Sequence, residues 1–388
     1  MNYPRIAIDL GGLDRLWPGA GLYRYAIDLV CSLAELRSTA QFLVLGATPE
    51  PVDDLAGVFQ SDTGWEYHHF PRSGGFASAY LDHLRLAFLL KSLRADLCHC
   101  LHSFAPVVAP CSVIGTVHDL MFELFPEYAD AVRSRPYRIY RWSVRRRLQR
   151  IICISQSTAN DLQRLWGVST NRIDVVPSGL RVFRENNEIS FPENHILRRL
   201  PPGPLLSSPF NLEPRKNLHT LLAAFAKVRQ KFPQIPLVLY GRGGWTEERE
   251  ESYRQQIENL GLGKQVIETG VLSDTDLWYL YKKTSIFVFP SLYEGFGYPV
   301  VEAMAAGACP VVRGVSAMAE TVGMAGLQVE PFTANTLADA IFNLLIQDPK
   351  RRMLGEMAAE RARQFTSQKM AQGTFETYSR VLKRKALS

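Results

Sequence analysis

From residue 6 to residue 382, short apolar runs alternate with amphipathic helical stretches, and this alternation limits the fold more than any single motif does. Residues 6–10, 42–45, 96–100, 113–117, 151–154 and 174–177 have the composition of strands, and 21–36, 77–93, 130–148 and 156–166 have helical periodicity. Such alternation implies a parallel sheet covered by helices on both faces. The pattern fails over 184–209, a polar, Pro-rich stretch suited to a linker. It then resumes with helices at 217–232 and 247–260, strands at 237–240 and 265–269, and a short helix from Asp274. A strand at 285–290, a helix through Glu302 and a strand at 309–313 follow, and helices at 334–346, 350–364 and 367–382 close the chain. The expectation is an α/β protein of two Rossmann-like, doubly wound domains facing a cleft where the carboxyl ends of both sheets meet. Their expected bounds are 1–183, joined by a crossing helix at 367–388, and 184–366. The 388 residues amount to about 2.6 domains of typical size, which agrees with two.

Several classes are excluded. With 46% hydrophobic and 21% charged residues the chain has material for packed cores and is not disordered throughout. The start, from Met1 to Asp9, runs directly into a strand and lacks the regions of a secretory signal. No segment approaches the ~18 apolar residues of a membrane span, and six cysteines in a chain this long form no disulfide framework. A cytoplasmic protein is expected, and a peripheral position on the inner face of the membrane stays open.

Three strings suggest chemistry. In Ser291-Leu-Tyr-Glu294-Gly295-Phe296-Gly297-Tyr298-Pro299, followed by Glu302, a strand ends, a glycine-rich turn follows and a helix begins with Pro in its first turn. The glycines allow close approach of backbone to a ligand, and the free N–H groups at the helix start favour a diphosphate. Glu294 and Glu302 are eight residues apart, which would be about 12 Å in continuous helix, so the two carboxylates have different roles. In Asn211-Leu-Glu-Pro-Arg215-Lys216-Asn217, two cations stand where the positive end of a helix dipole disfavours them, and an anionic ligand explains them better than a solvated helix start. The third string is Thr116-Val-His118-Asp119 at a strand end; the N-terminal Asp9-Leu-Gly-Gly followed by Pro18-Gly19-Ala20-Gly21 is glycine-rich but matches neither Gly-x-Gly-x-x-Gly nor the Gly-Lys-Ser/Thr phosphate loop.

Together these strings resemble the family-4 retaining glycosyltransferases of the GT-B fold, most of all bacterial mannosyltransferases of O-antigen and exopolysaccharide assembly. Ile154-Ser-Gln-Ser, Val176-Pro-Ser-Gly and Glu320-Thr-Val-Gly extend the likeness over nearly the whole chain. The resemblance implies that Glu302 holds the donor ribose and that Glu294 with Gly295, Phe296 and Gly297 faces the sugar and diphosphate. Tyr298 and Gly241 join this donor set. Arg215 and Lys216 would bind the diphosphate, His118 would lie beside the donor sugar, and Gly19, Ala20 and Gly21 would line the acceptor and phosphate side. The implied reaction is transfer of a hexose, mannose from GDP-mannose, to a glycan or lipid-diphosphate-linked glycan by front-face displacement. Protein cations would neutralise charge, with no metal and no cofactor. A UDP- or other nucleotide-sugar donor, a nucleotide-sugar epimerase and a non-catalytic partner of a transferase are the alternatives.

One departure stands out. Members of the family usually have Gly-Thr or Gly-Ser where this chain has Phe210-Asn211, and a side chain there would be expected to crowd the diphosphate. Two further strings resemble metal sites. Cys98-His-Cys100-Leu-His102 lacks a second ligand cluster, and Ser273-Asp-Thr-Asp276 reads as a helix cap. The basic surplus of +6 is local: Arg133, Arg135, Arg138, Arg141, Arg145, Arg146, Arg147 and Arg150 occur without a carboxylate between them and with Tyr137, Tyr140 and Trp142 interleaved. No nucleic-acid motif accompanies them, so an anionic membrane surface or lipid-diphosphate acceptor fits better than nucleic acid. A plain solvated helix face accounts for the same residues.

Overall fold

The computed structural model describes residues 3–36, 39–60, 64–72, 76–102, 105–181, 195–243 and 246–386. The chain divides into two compact units, Met1–Arg181 with Thr366–Ser388, and Val182–Phe365.

The first unit is built on seven parallel strands: β1 (Arg5–Asp9), β2 (Gln41–Gly46), β3 (Trp65–His69), β4 (Leu97–Cys100), β5 (Ser112–Val117), β6 (Arg150–Cys153) and β7 (Ile173–Val175), in the order β3-β2-β1-β4-β5-β6-β7. The second has six: β8 (Leu206–Pro209), β9 (Leu237–Tyr240), β10 (Val266–Gly270), β11 (Ile286–Phe289), β12 (Cys309–Arg313) and β13 (Leu327–Val329), in the order β10-β9-β8-β11-β12-β13. All pairings are parallel, and helices separate successive strands apart from β4 and β5, so central strands such as β5 and β11 are buried along their whole length. The direction of winding reverses between β1 and β4 in one sheet and between β8 and β11 in the other. Loops at those carboxyl ends diverge and leave room for a ligand.

The structure corrects three expectations. β8 lies inside the stretch 184–209 expected to be a linker; residues 184–194 of that stretch lie outside the described residues. Two serines hid this central strand, yet both are fully buried, and the Ser207 hydroxyl is hydrogen-bonded to that of Thr284 at 2.9 Å. The helix expected over 130–148 is broken at Ser134, which accepts from the Tyr137 amide and starts a new helix, Arg135–Arg146, after Ala129–Arg133. β3 and β13, not anticipated, are edge strands, one half-exposed and polar and the other three residues long, so neither leaves an apolar run.

The final helix, Ser367–Ala386, belongs to the first unit. The Ser367 amide donates to the Leu180 carbonyl at 3.0 Å, and Gly179 passes so close to Thr366 that a Cβ there would lie 2.2 Å from its carbonyl. Farther along, the Tyr378 hydroxyl meets His99 Nδ1 at 2.8 Å, while Thr377 and Arg380 both donate to Asp174. Among the described residues no helix is long and apolar enough to cross a membrane.

Candidate active site

In the second unit the carboxyl ends of the adjacent strands β8 and β11 bring the two charged strings together. After β8, Asn211 Oδ1 accepts from the Glu213 amide at 2.8 Å, and Pro214 opens a single 3-10 turn through Lys216. Asn217 leaves that turn at φ 55, a left-handed conformation that Asn tolerates, and its side chain donates to the Pro290 carbonyl at 3.2 Å. The Leu292 amide donates to the Arg215 carbonyl at 2.8 Å, so the two loops are joined through backbone as well.

On this frame the charges interlock. Glu294 Oε1 receives Lys216 Nζ at 2.6 Å, Ser291 Oγ at 2.6 Å and Arg215 Nη1 at 2.8 Å. The rest of the Arg215 guanidinium is spent on Glu213, at 3.3 and 3.1 Å, and on the Tyr293 carbonyl at 2.8 Å. Burial alone would raise the Glu294 carboxyl, but Lys216 and Arg215 outweigh it and hold it below the ordinary range. Arg215 is buried whereas the Lys216 side chain retains 23% of its exposure, so the lysine is the more accessible cation.

The helix that follows, Tyr298–Ala305, is capped by Gly297 at φ 92. That positive φ favours glycine, and a Cβ there would also have to displace the flexible end of Met318, whose Cε lies 2.3 Å away. The Phe296 and Tyr298 rings pack edge to face at 5.1 Å, and Phe296 also meets Phe365, so the Phe296 ring is taken up in packing. Glu302, one turn into the helix, is buried and accepts from the Tyr281 hydroxyl at 2.8 Å. Gly241 follows β9 at φ 111 and lies against the Phe210 backbone.

Phe210 does not behave as its place in the sequence suggests. Its ring lies 4.9 Å from that of Tyr253 and covers Gly243, where a Cβ would be 2.2 Å from it. The ring thus extends the apolar core of the unit.

The remaining candidates lie in the first unit. The Ala20 amide donates to the Trp17 carbonyl at 2.8 Å, and the half-exposed Trp17 ring lies over Gly19 in the space a Cβ would enter. Gly21 opens the helix Gly21–Glu35. His118 Nε2 is 2.7 Å from the Leu101 carbonyl, which can only accept, so the imidazole is protonated there and Nδ1 is left as an acceptor. Tyr25 stands edge-on to its ring at 4.7 Å. At the end of β1, buried Asp9 takes Arg72 and His102 and accepts from the Gly11 amide at 3.1 Å.

Burial holds His118 down to about 4 and His99 down to about 3. Both are therefore neutral at pH 7, whereas in the unfolded chain they titrate near 6.5. Between those values the unfolded chain binds more protons, so this contribution to stability is complete above pH ~6.5 and is lost as pH falls toward 4. Thermal melts across this window should show Tm falling below pH ~6.5, and His118→Gln should make the fall shallower; an unchanged slope would exclude His118 as its source.

Glu213, Ser291, Tyr281, Tyr240 and the Asp9–Arg72–His102 cluster had not been anticipated. Glu213 and Ser291 stand within the strings already singled out. Tyr281 and Tyr240 gave no signal, since they reach Glu302 only through packing. Cys98 and Cys100 place their sulfurs 4.0 Å apart, while His99 bonds Tyr378 and Thr116. Among the described residues no group of three or more His, Cys, Asp or Glu could hold a metal ion. Ser273 caps its helix, accepting from the Asp276 amide at 3.1 Å.

Two parallel-sheet Rossmann-like units are the architecture of the GT-B fold. Residues 20–184 match the Glycosyltransferase Family 4 domain and residues 202–361 match the domain of glycosyl transferases group 1; the chain belongs to the glycosyltransferases built from these two domains. It is 28% identical over 379 residues to the O-antigen chain mannosyltransferase B of Escherichia coli, covering 93% of this chain and 96% of that one. It is 26% identical over 291 residues to the serotype-specific mannosyltransferase WbdA of the same organism, covering 70% of this chain but 34% of WbdA. Among solved structures, a sucrose-phosphate synthase from Thermosynechococcus elongatus superposes with a TM-score of 0.76 at 21% identity over 98% of this chain and 100% of that one. Anabaena HepE, in complex with UDP and glucose, superposes with a TM-score of 0.74 at 21% identity over 97% and 100%.

Proposed function

We propose that the protein is a retaining hexosyltransferase that moves mannose from GDP-mannose to a hydroxyl of a glycan or lipid-diphosphate-linked glycan in surface polysaccharide assembly. The observation behind this reading is the convergence of Lys216, Arg215 and Ser291 on one oxygen of Glu294, on loops that adjoin a glycine-capped helix bearing the buried Glu302. The names of the two Escherichia coli relatives support the sugar and the product class.

Under this reading Glu302 accepts from the ribose hydroxyls, the backbone of Gly295, Phe296 and Gly297 faces the diphosphate, and Gly241 leaves space at the neighbouring strand end. The bond between the sugar C1 and the diphosphate oxygen breaks, its electron pair leaving with the diphosphate. The acceptor hydroxyl bonds to C1 from the same face, and its proton passes to the departing oxygen, so no protein nucleophile is needed. Lys216 compensates the charge on that oxygen, with Arg215 behind it as the group that fixes Glu294 and the loop. Neutral His118 offers Nδ1 to a sugar hydroxyl rather than a charge. Protein cations suffice here, without metal or cofactor.

A thermal-shift panel of GDP, UDP and ADP with their sugars, followed by hydrolysis of the best donor, tests the reading. Selective stabilisation by GDP and slow release of mannose from GDP-mannose are expected. Selection of UDP would replace the donor, a new nucleotide sugar would mean an epimerase, and binding without turnover would mean a non-catalytic partner.

The arginine helix supports an anionic lipid surface as the site of action, at the inner face of the cytoplasmic membrane. Arg133, Arg135, Arg138, Arg145, Arg146 and Arg147 are exposed, and so is Trp142, over which Arg147 lies at 5.6 Å. The other two have inward tasks: Arg141 donates to the Leu165 carbonyl at 2.9 Å, and Arg150 is buried on Asp174. Each exposed arginine near such a surface contributes about 1 kcal/mol, screened within a Debye length of about 10 Å at 0.1 M salt. The protein should sediment with anionic vesicles at low salt and be released at high salt. Neutralising Arg145, Arg146 and Arg147 together should reduce sedimentation and leave donor hydrolysis unchanged; undiminished sedimentation would make the arginines a solvated face.

A further inference from the structure

Glu302 is held by a chain of two phenols from different elements. Tyr281, on the helix Asp274–Lys283, is fully buried and donates its hydroxyl to Glu302 Oε2 at 2.8 Å. Its oxygen lies 2.7 Å from the hydroxyl of Tyr240, the last residue of β9, with the two rings perpendicular at 5.7 Å. A phenol has one proton to give. Since Tyr281 spends its proton on the carboxylate, it must accept from Tyr240, and donation runs from Tyr240 to Tyr281 to Glu302. Burial first, and then the Glu302 charge, hold the Tyr281 phenol well above its usual range, so it remains a donor at any working pH.

The geometry also ties the ribose-binding group to the cation loop. The Tyr240 carbonyl accepts from the Phe210 amide at 2.6 Å, at the entrance to the turn that leads to Arg215 and Lys216. A carboxylate on a helix side chain has several torsions to restrain, and a charge-assisted bond from a buried phenol restrains it more than packing alone can.

We propose that Tyr281, backed by Tyr240, is a positioning residue that fixes the Glu302 carboxylate, so that preference for a ribose over a deoxyribose donor depends on a phenol that does not itself touch the nucleotide. This rests on the reading of Glu302 as the ribose-binding group.

The test uses the full chain and isothermal titration with GDP and with 2′,3′-dideoxy-GDP, on wild type, Tyr281→Phe and Tyr240→Phe. Wild type should prefer GDP by tenfold or more, as losing bonds to a charged acceptor implies. Tyr281→Phe keeps the ring against Phe287 and Tyr240, so it should retain dideoxy-GDP affinity while losing about tenfold of the preference. Tyr240→Phe leaves the Tyr281 donor in place and should lose less; it keeps the idea testable if Tyr281→Phe does not fold. With GDP-mannose as substrate, the Tyr281→Phe loss should fall mainly on KM. A preference for GDP kept intact in Tyr281→Phe, or an equal loss of affinity for both nucleotides, would overturn the positioning role and leave the ribose assignment of Glu302 standing. Absence of any preference in wild type would overturn both.

Discussion

Lys216→Ala should lower turnover by about 100-fold or more with the fold intact, the size of effect found when one preorganised stabiliser of developing charge is removed. Two features single out the lysine rather than its neighbour. Arg215 has its guanidinium distributed over Glu213, Glu294 and the Tyr293 carbonyl, and it is buried, so its charge is compensated before a ligand arrives. Among the described residues Lys216 has one ion-pair partner, Glu294 at 2.6 Å, with its Nζ 5.7 Å from the Phe289 ring, and it keeps part of its side chain in solvent. A strongly hydrated point charge with one partner can turn toward a diphosphate, whereas a locked planar fork cannot. The Ala variant leaves Glu294 with Arg215 and Ser291, so Tm should change little while kcat falls. Lys216→Arg should recover part of the rate, because the charge returns in a bulkier shape. Turnover at the wild-type level in Lys216→Ala would shift the leaving-group role to Arg215 and overturn the division of labour drawn here.

How much of this was legible in the sequence depends on the range of the interaction concerned. Helices such as Gln156–Trp166 and Ala334–Ile346 coincide with their periodicity, because an amphipathic face is a local property. β8 was lost inside a Pro-rich stretch because its two serines look like surface and become core only when Thr284, 77 residues away from Ser207, supplies a partner. The strings around Arg215 and Glu294 were legible as chemistry, since charges at strand–helix junctions have few structural uses. Their mutual neutralisation was not, because it joins residues 78 apart. Phe210 marks the opposite limit. The sequence comparison puts its side chain against the diphosphate, whereas in the structure Gly243 opens a space for the ring and Tyr253 fills out the contact. Which way a side chain turns is decided by its neighbours, and these two are 33 and 43 residues further along.

Asp174→Ala should destabilise the first unit by about 3–5 kcal/mol, the cost typical of removing one partner from a buried ion pair. The carboxylate is a hub: it takes Arg150 through two nitrogens, Arg380 at 2.5 Å and the Thr377 hydroxyl at 3.2 Å. Arg150 is the member that makes the loss severe. It is buried at the start of β6, and with Asp174 gone only the Asn171 carbonyl, at 2.9 Å, would remain to it, leaving a charge out of water without a counter-ion. Arg380 is different, because its side chain is 53% exposed and can be hydrated once released. Arg380→Ala should therefore cost about 1 kcal/mol or less, as exposed pairs do, and the contrast between the two variants tests the hub more sharply than either alone. Because the two units need not unfold together, amide exchange in β6, β7 and the final helix reads the effect better than a single melting midpoint. Faster exchange in all three segments is expected of Asp174→Ala, since the same carboxylate joins the sheet to the helix that ends the chain. Faster exchange confined to the helix would mean that Arg150 finds another partner, and the estimate of several kcal/mol would then fail.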